Sequence, residues 1–333
     1  EAQEVAARNR GDEETAAAWA EFRKAVEDAI WAGNNAGLGY LQDKAGYCRV
    51  GHHGGAAGRY VDAHDWVVAS FFQHDSRDHD PQLHIHNTIL NRAEGPDGVW
   101  RTIDGRSLFR WRPAAAAVAE RTTEERLTHA LGLLIATRPD GKARELVGVP
   151  RAVMELFSKR RRSVTAEVDR LVAAYQARHG REPSPLERAH IAQQATLSTR
   201  ARKSHQGETE AARLDRWERE TRTALAGGLA KVARAALAAG RGGAPAVWSS
   251  RDVVARALDR VGRAKATWTR ADLTFAVSEA LPAQLGLQPE RVGELLESLT
   301  DEALRTVVTT VAVEPVGHLT EEFRLGSGAS AYQ

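Results

Sequence analysis

Residues 66–91, WVVASFFQHDSRDHDPQLHIHNTILN, decide how the rest of the chain is interpreted. Two stretches with strand-like composition, WVVASFFQ and LHIHNTILN, flank a polar loop, HDSRDHDPQ, and this pattern predicts a β-hairpin. Side chains two positions apart on a strand point to the same face, so His84 and His86 share a face. An antiparallel partner strand brings His74 beside them.

Three imidazoles that converge on one side of a sheet predict a site for a divalent metal ion, with positions left for water or a substrate oxygen. The alternative for any one strand histidine is a half-buried, hydrogen-bonded structural role. His79, in the loop, is expected to be solvated or to support a ligand. His52 and His53 lie in the glycine-rich loop 51–58 and are candidates for an extra ligand pair, although such a loop orients ligands poorly.

The composition excludes several classes of protein. The chain has 333 residues, a formal net charge of +2 and a single cysteine, Cys48, which excludes a disulfide framework and a cysteine-rich zinc site. No apolar run reaches the roughly 20 residues of a membrane helix, and no secretory signal is present, so a cytoplasmic location is expected. No GxxxxGK[ST] phosphate loop occurs, which excludes a P-loop ATPase within these residues.

The order of predicted elements indicates an α+β fold, with an antiparallel sheet covered by helices and then an all-helical region. Helical periodicity over 13–32 ends at a predicted stop, GNNA, at 33–36. A third strand is predicted at 99–104, and a helix follows that Pro113 should kink or restart. LLIAT and ELVGV, on either side of the turn RPDGK, are predicted strands.

From Pro150 onwards the sequence is rich in Ala, Arg and Glu and predicts long helices, then the linker AGRGGAPA at 239–246. Later helices are predicted near 249–262, 269–281, 289–297 and 300–311, with caps at Ser249 or Ser250 and at Thr269. The tail from Gly326 is expected to be disordered. The predicted domains are an α+β domain, a helical extension of it, a small helical module and a tail, at 1–150, 151–240, 247–312 and 313–333.

The run HDSRDHDPQLHIHNTILN resembles the metal-binding motif of the MobF (TrwC/TraI-type) conjugative relaxases, members of the HUH endonuclease class. DGVWRTIDGRSLFRWRP and RPDGKARELVGVPRAVMELFSKRR resemble the segments that follow the motif in that family. The resemblance covers about residues 1–225 and implies a relaxase palm-like α+β domain. WTRADLTFAVSEALP resembles the helical stretch that leads towards the helicase half of these proteins.

The resemblance implies an enzyme that nicks one strand of plasmid DNA at the transfer origin, with a tyrosine attacking the phosphate and a metal polarising its oxygens. His74, His84 and His86 would hold the ion, which is Mg, Mn or Zn. Candidates for DNA contact or for support of the ligands are Asp75, Arg77, Gln82, Arg101, Arg106 and Arg110. The implied partners are single-stranded origin-of-transfer DNA, a helicase domain in cis and other conjugation proteins, with no membrane span.

The chain departs from the family pattern in two ways. The motif loop, which begins His74-Asp75-Ser76-Arg77, has one residue fewer than the family's His-Asp-Thr-Ser-Arg. The family's nucleophilic tyrosines lie near its N-terminus, and none of Tyr40, Tyr47 and Tyr60 stands in such a motif. The expectation is therefore an N-terminally truncated fragment, inactive on its own, whose nucleophile lies upstream of Glu1.

Arginines around the site, with Trp100, Phe109 and Trp111 interleaved, fit single-strand binding, because cations follow phosphates and rings stack on bases. The alternative is that Phe109 and Trp111 are core residues of the following helix. The basic run 159–162 is either a solvated helix face or a nucleic-acid contact. Two other functions stay open: a catalytically inactive DNA-binding remnant, and a different His-metal enzyme, such as a phosphodiesterase or a dioxygenase with Asp75 or Asp80 as a ligand.

Overall fold

The computed structural model describes residues 1–51, 58–141, 143–201, 208–241, 243, 245–306, 324–327, 330 and 331. His52 and His53 lie outside the described residues. So do residues 307–311 of the helix predicted at 300–311. Within the described residues, no helix is long and apolar enough to cross a membrane.

The fold is α+β, as predicted, and its strands pair as two-stranded sheets among the described residues. The helices are α1 (Ala2–Arg8), α2 (Glu13–Ala45), α3 (Gly105–Leu131), α4 (Arg151–Leu156), α5 (Lys159–His179), α6 (Pro185–Ser198), α7 (Glu210–Ala224), α8 (Gly228–Ala239), α9 (Ser250–Ala264), α10 (Arg270–Ala280) and α11 (Val292–Thr306). The strands are β1 (Tyr47–Val50), β2 (Arg59–Asp62), β3 (Val68–Asp75), β4 (Pro81–Ile89), β5 (Ala93–Glu94), β6 (Trp100–Arg101), β7 (Ile135–Thr137) and β8 (Arg144–Leu146). The sheets pair β1 with β2, β3 with β4, β5 with β6, and β7 with β8.

The chain forms two compact units whose segments alternate along the sequence. The first unit contains 1–23, 72–84 and 148–239, and the second contains 24–71, 85–147 and 240–333. The boundary at 239/240 falls in the predicted linker. The predicted division into four domain ranges stays a prediction.

The first unit is built mainly from α4 to α8. Helix α5 packs against α6, and α7 packs against α1, α4 and α8. Trp217 and Leu214, on one face of α7, are buried. Helix α6 begins with a capping box, in which the Ser184 side chain accepts from the Glu187 N–H and the Glu187 carboxylate accepts from the Ser184 N–H.

The second unit has a helical core formed by α3, α9, α10 and α11. On α9, Val253, Ala257 and Val261 recur one helical turn apart and are buried, while the opposite side of the helix is exposed. The Ser249 and Thr269 side chains cap α9 and α10, as predicted. Helix α11 runs through 297–300, where two separate helices were predicted.

Two charged residues of α3 are buried in this core. Arg121 donates hydrogen bonds to the carbonyls of Ser278, Leu281 and Pro282, at 2.6, 3.1 and 2.8 Å. One turn later, the Glu125 carboxylate accepts from the N–H groups of the next loop residues, Leu285, Gly286 and Leu287, at 2.8, 3.1 and 3.2 Å. Burial lowers the pKa of Arg121 to about 10. The module predicted at 247–312 is therefore fastened to α3 within one unit.

The predicted helix stop at GNNA is wrong, because α2 continues to Ala45. A Cβ atom on Gly33 would lie 1.9 Å from Thr123 Oγ1, and one on Gly37 would lie 2.7 Å from Ala119 Cβ. The glycines therefore let α2 approach α3 closely, and this packing outweighs their poor helix propensity.

Three further expectations are corrected. The strand predicted at 99–104 is reduced to Trp100–Arg101 and pairs with β5, because Asp104 caps α3 instead. Helix α3 is continuous through Pro113, so no second helix starts there, and the predicted kink stays a prediction. The described part of the tail is ordered: the Gly326 N–H donates to Asp62, and Ala331 is buried with its carbonyl accepting from the Tyr60 N–H.

Candidate functional site

The three predicted ligand histidines lie on the β3–β4 hairpin. His74 is in β3, half-buried, with its ring edge-on to Phe72 at 5.2 Å between centroids. His84 and His86 are in β4. The division between the units passes through this hairpin, so His74 and His84 belong to the first unit and His86 to the second.

The His84 ring is oriented by the backbone of its own strand. Its Nδ1 lies 2.8 Å from the Gln82 carbonyl oxygen, a geometry in which Nδ1–H donates. In neutral imidazole this places the lone pair on Nε2, the nitrogen through which such histidines bind metals.

The donor chemistry of the three histidines fits a divalent transition metal, since imidazole suits Zn, Mn and related ions better than Mg. No group of three or more His, Cys, Asp or Glu side chains among the described residues is arranged to hold a metal ion. The three-histidine site stays a prediction.

The hairpin loop 76–80 has a defined internal structure. Ser76 N–H donates to the Asp80 carbonyl at 2.9 Å, and the Ser76 hydroxyl oxygen accepts from the N–H groups of Asp78 and Asp80. His79 adopts a positive φ of 60°, the left-handed conformation that closes the turn. The loop therefore holds its shape through its own backbone and one serine.

Helices α5 and α7 brace this loop. Asp80 is 4% exposed, and its Oδ2 accepts from the Lys159 N–H at the start of α5, at 2.8 Å. Its Oδ1 lies 3.3 Å from Lys159 Nζ, as an ion pair without a well-aligned hydrogen bond. The His79 carbonyl accepts from Trp217 Nε1 and from Arg216, at 2.8 and 3.0 Å. Asp80 is thus committed to structure, which counts against it as a metal ligand, and His79 anchors the loop through its backbone.

A cavity of about 630 Å³ lies in the first unit between this loop and helices α5 and α6. Its charged lining consists of four arginines and two aspartates, a formal charge of +2: Arg77, Arg160, Arg161, Arg200, Asp78 and Asp80. Arg77 and Gln82, predicted as site residues, both line it, whereas Asp75 does not and lies 3.5 Å from the His79 ring.

The predicted arginines of the second unit differ in their partners. Arg101 is held by Asp97 in a two-point ion pair at 2.7 and 2.5 Å, which lowers the pKa of Asp97 to about 2. Arg106 and Arg110 are exposed on the first turns of α3. Phe109 beside them is 73% exposed and is therefore not a core residue, whereas Trp111 packs edge-on against Tyr40.

The tyrosines that the structure describes have other roles. The Tyr40 hydroxyl donates to Glu297, and burial raises the pKa of Tyr40. Tyr60 packs edge-on to Tyr47 and beneath the Arg49 guanidinium, and the Tyr175 hydroxyl donates to Glu187. None of these four lies on the histidine hairpin.

Sequence reasoning missed that Arg160, Arg161 and Arg200 meet Arg77 around one cavity. The basic run 159–162 was visible, but its members separate in the structure: Lys159 pairs with Asp80 and Glu220, and Arg162 donates to backbone carbonyls. Arg161 alone of the run is exposed towards the cavity without a described partner. No local signal distinguishes Arg160, Arg161 and Arg200, whereas Arg77 belongs to the motif loop.

A family model described as TrwC relaxase matches residues 14–224, more than half of the chain. No curated protein sequence matches it significantly. Among solved structures, the chain is 25% identical to a conjugative relaxase TrwC in complex with OriT DNA, with a TM-score of 0.46 and coverage of 61% of this chain and 63% of that one. The chain is also 25% identical to a metal-bound TrwC–OriT DNA complex, with a TM-score of 0.45 and coverage of 60% of this chain and 63% of that one. For TrwC complexed with a 27-mer DNA comprising the recognition hairpin and the cleavage site, the identity is 25% and the TM-score 0.44. The coverage is 61% of this chain and 66% of that one. The chain thus spans about two thirds or less of the length of these structures.

Proposed function

Because the chain belongs to the TrwC relaxase family, we propose that it is the metal- and strand-binding part of a relaxase that nicks single-stranded DNA at a plasmid transfer origin. The observation that carries the proposal is the family match over 14–224, which includes the hairpin with its three histidines.

In this proposal His74, His84 and His86 hold one divalent ion. When bound, the ion supplies Lewis-acid polarisation of the phosphate oxygens, whose negative charge increases towards the transition state. The hydrogen bond from His84 Nδ1 to the Gln82 carbonyl supports this role, because it orients the ring and, in the neutral tautomer with the proton on Nδ1, puts the lone pair on Nε2.

The loop between the two strands has a positioning role. Asp80 and the His79 carbonyl tie it to the start of α5 and to α7 in the first unit. A ligand-bearing strand needs such support, because small displacements of ligands weaken a metal site. The braced loop therefore keeps the ends of β3 and β4 in place.

The proposal does not assign the role of attacking nucleophile to Tyr40, Tyr47, Tyr60 or Tyr175. Each packs against or bonds to side chains away from the hairpin. The same observation favours a second candidate function, a strand-binding relaxase remnant that does not cleave.

The test is cleavage of labelled single strands that tile the DNA flanking the coding gene, with MnCl₂ or with EDTA. Residues 1–333 are tested alone and joined to any sequence that its gene encodes before Glu1, each with His84→Ala and with His190→Ala. His190 is exposed on α6 and serves as the matched control.

The relaxase proposal expects discrete cleavage by the joined protein, lost in EDTA and in His84→Ala but kept in His190→Ala. Strand binding without cleavage in every version would select the remnant. Cleavage that survives both EDTA and His84→Ala would contradict the metal site.

A further inference from the structure

The cavity beside the hairpin loop has both cationic and apolar side chains in its lining. The side chains of Arg77, Arg161 and Arg200 are exposed, and their guanidinium groups make no hydrogen bond or ion pair with the described part of the chain. Phe157 and Val164 also line the cavity and are half-buried. The volume, about 630 Å³, is within the range of sites that enclose a small ligand.

One arginine of the lining is structural. Arg160 donates to the Thr199 carbonyl and hydroxyl, at 2.6 and 2.9 Å, and to the Thr196 carbonyl. It therefore joins the start of α5 to the end of α6 and fixes the spacing of the walls that carry Arg161 and Arg200. The cavity is thus held open by hydrogen bonds within the first unit.

The arrangement selects a polyanion that also has apolar faces. Guanidinium groups bind phosphate oxygens through paired N–H donors, and unpaired ones lose no existing partner when they do so. A ring and a branched aliphatic floor suit an unstacked base, which a single strand offers and a duplex does not. A free inorganic anion would leave the apolar lining residues Phe157 and Val164 without a contact.

We infer that this cavity binds the backbone of a single DNA strand, with phosphates on Arg77, Arg161 and Arg200 and a base or sugar against Phe157 and Val164. The inference rests on the proposed function and extends it, because it names a strand-binding surface that lies on α5 and α6 as well as on the hairpin loop. Arg161 and Arg200 are its independent markers, since neither belongs to the histidine motif.

The test is the binding of a fluorescein-labelled oligo(dT) strand by the full chain, measured by anisotropy over a range of salt concentrations. The variants are Arg161→Ala/Arg200→Ala and, as matched control, Arg178→Ala. Arg178 is also exposed on α5, roughly 25 Å further along the helix axis from Arg161. None of these side chains has a described partner, so none of the changes is expected to unfold the unit.

The salt slope is the decrease in the logarithm of the binding constant per unit logarithm of the salt concentration, and each phosphate contact to a single strand contributes about 0.7 to it. The loss of one contact therefore weakens binding about fivefold at ~0.1 M salt. The double variant should lose about 1.4 in slope and bind about 25-fold more weakly, while Arg178→Ala should match the wild type. A double variant with unchanged slope and affinity would overturn the inference, and so would equal losses in the Arg178 control.

Two outcomes separate this inference from the proposed function. Intact cleavage with an unchanged salt slope in the double variant would reject the cavity and keep the relaxase. Arginine-dependent strand binding without cleavage in any version would keep the cavity and reject the nickase. A labelled duplex bound as tightly as the single strand would overturn the assignment to single strands.

Discussion

In the second unit Arg121 is fully buried and its guanidinium donates to several backbone carbonyls, whereas in the first unit Arg161 and Arg200 line a cavity and their guanidinium groups bond to none of the described residues. The difference lies in what surrounds each guanidinium. A buried charge must be fully hydrogen-bonded to be tolerated, and an exposed unpaired one is available to a ligand. The number of arginines near a motif therefore predicts DNA contact poorly. Whether each guanidinium already has a hydrogen-bond or ion-pair partner predicts it better.

The two units also each contain a buried carboxylate that binds backbone N–H groups. Glu125 accepts from three successive residues of one loop, and Asp80 accepts from the first residue of α5. The first fastens α10 and its following loop to α3, and the second fastens the histidine hairpin loop to a helix. The predictions below test how much each arrangement contributes.

The largest effect is expected from Arg121→Ala, which leaves several buried backbone carbonyls without their hydrogen-bond donor. The loss of stability should be about 3–5 kcal/mol. Hydrogen–deuterium exchange of residues 278–287 and thermal unfolding measure it. Arg126→Ala is the control on the same helix, because its ion pair with Glu290 is exposed and should cost at most about 1 kcal/mol. Equal effects of the two changes would contradict the clamp.

A smaller loss, about 2 kcal/mol, is expected from Asp80→Ala, because a charge-assisted bond to a helix N-terminus is removed while Lys159 keeps Glu220. Faster exchange should be confined to the hairpin loop and the first turn of α5. Asp78→Ala, in the same loop, is the control, since the Asp78 side chain bonds to no described residue. Unchanged exchange in Asp80→Ala would show that the brace contributes little.

A pH effect is expected at Glu4 in the first unit. Hydrogen bonds from Arg23, at 2.9 Å, and from Arg8 lower the pKa of Glu4 below its ordinary value of 4.5. Stability from a lowered pKa is present above the ordinary value and is lost as the pH falls through the folded-state value. The difference in Tm between the wild type and Glu4→Gln should therefore be largest near neutral pH and shrink as the pH is lowered below the ordinary value of 4.5. A constant difference would contradict this ion pair.

The smallest effect is expected from Arg101→Ala on strand affinity. Asp97, with its pKa held at about 2, stays ionised from acidic to neutral pH and keeps Arg101 occupied. Its removal should change oligo(dT) affinity less than about twofold, against about 25-fold for the cavity double variant. A loss similar to that of the double variant would erase the distinction between paired and unpaired arginines.

The sequence was informative where local chemistry decides the structure. The hairpin, the caps at Ser249 and Thr269 and the strands around RPDGK followed from residue type and spacing. It misled where tertiary packing decides: Gly33 and Gly37 read as a helix stop, yet they allow the close approach of α2 and α3. Likewise, Arg121 and Glu125 look like exposed helix residues, and the arginines of the cavity come from three separate segments. Such convergence has no local signature.

The most direct test of the metal centre is native mass spectrometry of the full chain after titration with MnCl₂ and with ZnCl₂. The account predicts one divalent ion per chain, lost in His74→Ala/His84→Ala/His86→Ala and retained in His190→Ala. An ion that stays bound to the triple variant, or a wild-type chain that binds none, would contradict the account.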